Sequence, residues 1–235
     1  MLIMQAATNR GQILLASVCD GMGGLAKGEL ASATVIRTFS HWFTGRLPEL
    51  LEKDFDQNTV WAEWSELTDD TNRRIMQYGI DQHANLGTTV VMLLIVEGAY
   101  YLMNVGDSRI YCLSDQLYQL TKDQSVVQTE IDAGRLTYEQ SLTDPRRSIL
   151  TQCVGASDEV HPEFISGTVN PGEVYLLCSD GFRHAVNAEE IYRAFCPQQM
   201  TSAEIMNQRL KEMTELNIAR REDDNISALL VRCLG

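Results

Sequence analysis

Apolar runs joined by very short turns occupy the middle of the chain, and they restrict the possible folds more than any other feature. Thr88 to Val96 is a β-branched apolar run, and Glu97-Gly98 supplies a hairpin turn into a second run, Ala99 to Val105. Another hairpin turns near Ser114-Asp115. Strands joined in this way pair antiparallel, because a parallel pair needs a long crossover connection. The sequence therefore predicts an antiparallel sheet at the centre of the fold.

Helical periodicity flanks this central region on both sides. Apolar residues recur at helical spacing from Glu29 to Phe43 and again from Val60 to Ile75. Two later segments, Ala188 to Phe195 and Ser202 to Leu216, show the same pattern. Helices early, antiparallel strands centrally and helices late are typical of an α+β protein whose sheets are covered by helices.

Further strand-like segments lie near the two ends and in the later half of the chain. They are Ile13 to Cys19, Ser148 to Val154, Glu173 to Cys178 and Asn225 to Leu234. Between the central hairpins and the later strands, Asp123 to Thr143 is polar and weakly helical, with Gly134 in its middle. We therefore expect this polar segment to project from the core.

The net charge of the chain limits the classes of partner that it can bind. Nineteen basic residues stand against 32 acidic ones, which gives a formal charge of −13. A field of this sign repels the phosphates of nucleic acids and anionic lipids, so we expect neither a nucleic acid nor a membrane as partner. It also repels a phosphorylated substrate unless bound cations reverse the sign locally.

Cysteine usage and the N-terminal sequence indicate the compartment. The six cysteines form no Cys-x-x-Cys pair and most lie in apolar runs, so we expect buried, reduced thiols. The first residues, Met1 to Gln5, have neither a basic segment nor a long apolar core, which is unlike a signal peptide. The sequence therefore predicts a soluble protein of the reducing cytoplasm.

Aspartates stand at the ends of several apolar runs. Asp20, Asp180 and Asp224 each adjoin a predicted strand, and Asp107 lies between the two central hairpins. One such residue is weak evidence, since Asp-Gly is an ordinary turn dipeptide. Several acids gathered at one end of a sheet, however, repel each other unless cations lie among them. Oxygen ligands favour magnesium or manganese over zinc, and no histidine has ligand-like spacing.

Glycines follow the first of these aspartates at Gly21, Gly23 and Gly24. They let the backbone turn sharply and bring a carbonyl close enough to act as a metal ligand. A flexible strand-to-helix turn explains the same spacing. The spacing alone leaves both interpretations open.

The order of short motifs along the chain resembles the bacterial branch of the protein phosphatase 2C family. Six motifs occur in the family's order from Ile13 to Cys233. They are Asp20-Gly21-Met22-Gly23-Gly24, Gly28-Glu29-x-Ala31-Ser32, Gly87-Thr88-Thr89, Gly106-Asp107-Ser108-Arg109, Ser179-Asp180-Gly181 and Asp224-Asn225.

The resemblance implies a fold, an activity and partners. The implied fold is a single domain, residues 1–235, built as a four-layer αββα sandwich in which a central antiparallel β-sandwich is flanked by helices. The polar segment at about 123–147 corresponds to a flap beside the active site. The implied activity is hydrolysis of phosphoserine and phosphothreonine in phosphoproteins, opposing a bacterial serine/threonine kinase. The implied mechanism uses a water activated by two metal ions and forms no phosphoenzyme.

The same resemblance assigns metal ligands. Asp20 resembles the carboxylate that bridges two Mn²⁺ or Mg²⁺ ions, and Gly21 lends its carbonyl to one of them. Asp180 and Asp224 resemble the other ligands of the first ion. Asp107 resembles the acid that holds a third, weaker ion together with Asp180.

The chain departs from the family pattern before its first metal ligand. Members begin with a strand that carries an arginine and an Asn-Glu-Asp or Asn-Gln-Asp signature, and Asn9-Arg10 does not match it. We therefore expect the strand that ends at Asp20 to lack a neighbour, and the substrate phosphate to lack its arginine. Arg183 and the Arg146-Arg147 pair are alternative phosphate ligands or solvated surface residues.

Two functional alternatives follow from that departure. The first is an active phosphatase, in which His184 is either a proton donor to the leaving group or a structural histidine. The second is a catalytically impaired regulatory or binding module that keeps the phosphatase fold.

Overall fold

The computed structural model describes residues 1–23, 25–53 and 55–234 of the chain. Its strands are β1 (Leu2–Thr8), β2 (Gly11–Val18), β3 (Gly21–Met22), β4 (Gly87–Thr88), β5 (Val90–Val96), β6 (Ala99–Val105), β7 (Arg109–Leu113), β8 (Leu117–Gln119), β9 (Glu163–Thr168), β10 (Val174–Cys178) and β11 (Ala228–Arg232). Its α-helices are α1 (Leu25–His41), α2 (Leu47–Leu51), α3 (Gln57–Asp81), α4 (Val126–Asp132), α5 (Tyr138–Ser141), α6 (Asp180–Arg183), α7 (Ala188–Phe195) and α8 (Ala203–Ala219). A π-helical turn, Trp42–Arg46, joins α1 to α2.

The longer strands form two sheets. The first sheet has the order β1-β2-β5-β6-β9 and the second has the order β11-β10-β7-β8. Neighbours in both sheets pair antiparallel. The β5–β6 hairpin turns at Glu97-Gly98, where both residues have positive φ, 50° and 75°, as a tight type I′ hairpin requires. The predicted central hairpins are confirmed.

Side chains alternate between the two faces of each sheet, and three cores result. On β2, Leu14 and Ala16 lie in the core between the sheets, whereas Ile13 and Leu15 lie in a core with α1 and α3. The outer face of the second sheet packs against α7 and α8 in a third core. Because the inner strands are covered on both faces, their sequences are continuous apolar runs rather than alternating ones. The layers follow the order helix, sheet, sheet, helix, and the predicted α+β sandwich is confirmed.

The outermost strand of the first sheet corrects one prediction. β1 pairs with β2 along its whole length, from Leu2 opposite Ser17 to Thr8 opposite Gly11, so the strand that ends before Asp20 does have a neighbour. β1 alternates half-buried and exposed residues, because only one of its faces packs on the core. This pattern is short and weak in sequence, and the strand carries no Asn-Glu-Asp signature, so we missed it.

A second correction concerns the segment 148–154, which was predicted to be a strand. Leu150 and Val154 make isolated bridges to Ser125 and Thr88, which belong to different parts of the fold. A segment that bonds to two separate neighbours cannot form a continuous ladder. The strand in this part of the chain is instead β9, which extends the first sheet beside β6 and was not predicted.

Aromatic packing joins the two long helices of the first helical layer. Trp64 of α3 is fully buried, and its ring centroid lies 6.0 Å from that of Phe39 and 5.5 Å from that of Trp42. Both contacts are edge-on, a favourable geometry for aromatic pairs. The apolar spacing that predicted these helices therefore reflects core packing.

Two further sequence expectations concern cysteines and membrane spans. All six cysteines are free, and four of them are buried. Within the described residues, no helix combines the length and the apolar character needed to cross a bilayer.

The turn between β6 and β7 depends on a glycine, and this gives a testable prediction. Gly106 has a φ of +104°, and a Cβ at this position would lie 2.7 Å from Thr89 Cγ2. Gly172 has a similar φ of +89° with no atom within 4 Å of its Cβ position. We expect Gly172→Ala to lower the free energy of unfolding by about 1 kcal/mol. Gly106→Ala should lower it by roughly 1–3 kcal/mol more, because Thr89 must also move.

Urea unfolding of the two variants beside the parent protein measures both losses. Equal decreases in the free energy of unfolding would show that the Thr89 side chain moves away without an energetic penalty and that the turn is not tightly packed.

Candidate active site

Two threonines fix the backbone of Asp20 at the end of β2. The Asp20 carbonyl oxygen accepts hydrogen bonds from Thr88 Oγ1 at 2.9 Å and from the Thr89 amide at 2.8 Å. The Asp20 amide donates to Thr89 Oγ1 at 3.1 Å. Asp20 therefore leaves the sheet at a fixed position, and the Gly-Thr-Thr motif is what holds it there.

A close contact between two glycines places helix α1 against the same turn. A Cβ on Gly21 would lie 2.2 Å from the carbonyl oxygen of Gly28, and a Cβ on Gly28 would lie 2.5 Å from the carbonyl oxygen of Gly21. Neither position has room for a side chain. The Asp20-Gly21 turn and Gly28 of α1 therefore pack directly against each other. Gly24, which completes the first motif, lies outside the described residues.

A hydroxyl pair connects this turn to the second sheet. Thr89 Oγ1 lies 2.7 Å from Ser108 Oγ, and Ser108 directly follows Asp107. Asp107 is 6% exposed, at the entry to β7. The hydroxyl pair therefore brings the Gly-Asp-Ser-Arg turn next to Asp20.

The third and fourth acids are brought together by another serine and glycine. Ser179 Oγ donates to the Asn225 carbonyl at 3.2 Å and accepts from the Ser227 amide at 3.0 Å. A Cβ on Gly181 would lie 2.7 Å from the Asn225 carbonyl oxygen. Asp180, at the first position of α6, therefore lies beside the turn that carries Asp224.

The four acids influence one another strongly. Burial, then the charges of Asp180 and Asp224, raise the pKa of Asp20 to about 8; a hydrogen bond with Asp180 and the charge of Asp107 act in the same direction. Burial and Asp180 raise the pKa of Asp107 to about 7, against the opposing effect of Arg183. The structure thus brings together four of the predicted site residues, and Gly21 adjoins them.

This donor set fits hard divalent cations. Within the described residues, no three His, Cys, Asp or Glu side chains already surround one point as a preformed metal cluster. Burial, and then the neighbouring carboxylates, favour protonation of Asp20 and Asp107, and a divalent cation at this place would offset the same repulsion. All the donors are oxygens, the ligand type that magnesium and manganese prefer.

A buried ion-pair network beneath Asp107 was missed by sequence reasoning. Arg109 Nε and Nη2 each donate to the Asp123 carboxylate at 2.7 Å. Arg183 Nη2 donates to the Asp107 carbonyl at 3.0 Å and to Asp123 Oδ2 at 3.3 Å. Sequence spacing gave no signal for these contacts, because the partners come from three separate segments. Two arginines therefore support the loop that carries Asp107.

The alternative phosphate ligands have different environments. The Arg183 side chain is 14% exposed and engaged with Asp107 and Asp123, so the predicted solvated role is wrong for it. Arg146 donates twice to the Asp144 carboxylate, at 3.0 Å each. The Arg147 side chain makes only a 3.4 Å hydrogen bond, to the Leu142 carbonyl, among the contacts of the described residues.

His184 lies between two carboxylates. Its Nε2 is 3.5 Å from Asp180 Oδ2, and its Nδ1 is 3.7 Å from Glu222 Oε1. These separations are longer than strong hydrogen bonds. His184 therefore adjoins the acid cluster, and both its proposed roles remain predictions.

Comparisons with known proteins agree with this geometry. The family model for "Protein phosphatase 2C" matches residues 4–215. A putative protein phosphatase 2C-type of Streptococcus pyogenes is 30% identical over 226 residues, which cover 95% of this chain and 87% of the relative.

Solved structures agree as well. The Streptococcus agalactiae serine/threonine phosphatase superposes with a TM-score of 0.81 at 26% identity, covering 98% of this chain and 92% of that one. The catalytic domain of the serine/threonine protein phosphatase PstP, solved with two manganese ions, superposes with a TM-score of 0.76 at 28% identity, covering 99% and 91%.

The sandwich fold and these matches define the class of the protein as serine/threonine protein phosphatases. Within that class, the chain belongs to the protein phosphatase 2C family. The predicted family and the predicted phosphatase activity are confirmed, and metal dependence is expected for a member of this family.

The raised pKa values predict how pH affects the metal-free protein. An unfolded aspartate titrates near pH 4, whereas folded Asp20 has a pKa of about 8. Above about pH 4 the folded state holds protons that the unfolded chain has lost, so the contribution of this group to stability falls as pH rises to about 8. A divalent cation replaces those protons. We expect Mn²⁺ to raise the melting temperature more at about pH 8 than at about pH 6.

Thermal unfolding with Mn²⁺ and with EDTA at both pH values measures this difference, and Asp20→Asn should reduce it. An equal Mn²⁺ effect at the two pH values would contradict the coupling of these acids to a bound cation.

Proposed function

We propose that the chain hydrolyses phosphoserine and phosphothreonine in proteins with the help of two Mn²⁺ or Mg²⁺ ions. The observation that carries this proposal is the convergence of Asp20, Asp107, Asp180 and Asp224 at one edge of the sandwich. Burial, and then the charges of the other three acids, raise the pKa of Asp20 to about 8. Membership of the protein phosphatase 2C family supports the reaction type.

Each acid receives a role in this proposal. Asp20 would be the carboxylate shared by the two ions and the Gly21 carbonyl would bind one of them, while Asp180 and Asp224 would supply the other ligands of the first ion. Asp107 and Asp180 would hold a third, weaker ion. When bound, such ions lower the pKa of a coordinated water and neutralise phosphoryl oxygens. The threonines and the glycine pair hold the Asp20-Gly21 backbone in place for this task.

The wider setting is also part of the proposal. A phosphoprotein substrate needs a reaction that forms its phosphoester, so we expect a serine/threonine kinase as the opposing enzyme. Free, mostly buried cysteines support a reducing cytoplasm as the location. We further propose that residues 1–235 act as one catalytic domain, with 123–147 as its flap. The backbone amide of Gln124 donates a 2.8 Å hydrogen bond to the Gly106 carbonyl, which connects this flap to the Asp107 turn.

Manganese or magnesium should be required for activity, and two acid substitutions test this. Chelation with EDTA should stop the hydrolysis of p-nitrophenyl phosphate. Asp20→Asn and Asp180→Asn should each lower turnover by at least about a hundredfold, because each removes a ligand shared between ions. Asp70→Asn is the control, since the Asp70 side chain lies on α3 with 42% exposure and pairs with Arg73.

Initial rates and circular dichroism on the same samples separate catalysis from folding. Turnover that survives EDTA, or near-normal rates in both variants, would favour a regulatory or binding module that keeps the phosphatase fold.

Asp107 should behave differently from the other acids. Asp107→Asn should lower turnover more than it lowers the binding of the two tighter ions, because Asp107 is assigned to the third. Isothermal titration with Mn²⁺ measures both binding events. Complete loss of Mn²⁺ binding in this variant would place Asp107 among the main ligands instead.

A further inference from the structure

A cleft lies beside the acid cluster and reaches the predicted flap. It has a volume of about 850 Å³, and its lining includes Arg183, His184 and residues of α4 and α5. Arg183 bonds to the Asp107 carbonyl and His184 lies beside Asp180, so the cleft adjoins the candidate metal site through these two residues. We call it the flap cleft.

The charge of the flap cleft is opposite to that of the whole chain. Five arginines line it against three acids, although the chain as a whole has 19 basic and 32 acidic residues. Three of the arginines are engaged: Arg109 with Asp123, Arg183 with Asp107 and Asp123, and Arg220 with Glu190. A locally positive groove in an acidic protein favours an anionic ligand.

The other two arginines of the cleft belong to different segments of the chain. Arg147 lies in the flap segment and Arg221 follows α8. Neither has a carboxylate within ion-pair distance among the described residues. Arg221 also has a φ of 65°, a left-handed conformation that non-glycine residues adopt at an energetic penalty.

Apolar side chains of the flap complete the cleft. Tyr138 and Leu142 line it, yet they are 56% and 53% exposed. Large apolar groups beside unpaired arginines form a surface that matches a peptide carrying both apolar and acidic side chains.

We propose that the flap cleft binds the peptide segment next to the phosphorylated residue and selects segments with acidic and apolar side chains. This inference rests on the proposed function, because it names the substrate class of the same site. Arg147 and Arg221 are the residues that receive the acidic side chains, and Tyr138 and Leu142 contact the apolar ones.

Synthetic phosphoserine peptides test the proposal. One peptide carries glutamates on the N-terminal side of the phosphoserine, one carries them on the C-terminal side, and a third has glutamine at all these positions. We expect one acidic peptide to have a KM about three- to tenfold lower than the glutamine peptide. This preference should weaken as salt is raised, because the arginines are solvent-accessible.

Substitutions test which residues produce the preference for acidic peptides. In Arg147→Gln/Arg221→Gln the KM ratio between the acidic and glutamine peptides should fall to near one. Arg209→Gln is the control: Arg209 lies on α8, its side chain is 42% exposed, and it pairs with Glu212 outside the cleft. It should keep the wild-type ratio. Leu142→Ser should raise KM for a peptide with leucine beside the phosphoserine and leave a glycine-containing peptide unchanged.

The outcomes separate this inference from the proposed function. Hydrolysis of p-nitrophenyl phosphate by the wild-type protein with equal KM values for all peptides would overturn the cleft assignment alone. Failure to hydrolyse any of these compounds with Mn²⁺ would overturn the proposed function. In that case fluorescence anisotropy of labelled acidic and glutamine peptides still tests whether the cleft prefers acidic peptides. Equal dissociation constants for the two peptides would contradict this preference.

Discussion

The hydroxyl of Thr89 is the interaction on which the rest of the site depends. It accepts a hydrogen bond from the Asp20 amide in the first sheet and lies 2.7 Å from the Ser108 hydroxyl beside the second. Both partners are buried or half-buried, so water cannot easily replace them, and an unmade bond there would be costly. One side chain thus couples the two sheets at the edge where the acids meet.

A second constraint is electrostatic. Four acids lie close together in a chain that is already strongly negative; Asp107 and Asp180 are buried, Asp20 is half-buried and Asp224 is exposed. Burial opposes the ionisation of Asp20 and Asp107, and the charges of the neighbouring acids add to this effect. The arginines beneath Asp107 compensate part of this charge, and a bound divalent cation would compensate the rest. The fold therefore brings the acids together at an energetic penalty that the arginines reduce in part and that protons or a bound cation would reduce further.

The sequence predicted the parts of this protein that follow from local patterns. Continuous apolar runs identified the inner strands, because those strands are covered on both faces, and helical spacing identified α1, α3, α7 and α8. Strand β1 was missed because only one of its faces is buried, and residues 148–154 were assigned wrongly because composition does not show whether a partner ladder exists.

The acids at strand ends could be found for a similar reason, since each adjoins a strand that periodicity identifies. The Arg109–Asp123–Arg183 network could not be found this way, because it joins residues far apart in sequence. The environment of Arg183 was therefore misjudged.

The contact between Gly21 and Gly28 sets a limit on how this site could be redesigned. Each backbone occupies the volume that a side chain on the other would need. In a library that varies the Asp20-Gly21 turn for a new substrate, variants substituted at Gly21 or Gly28 would fail to fold before any selection for activity. The flap cleft also carries exposed side chains, those of Tyr138, Leu142, Arg147 and Arg221, which are not part of the network that supports Asp107. Diversity introduced at these four positions would alter substrate choice while leaving the hydrolytic centre as it is.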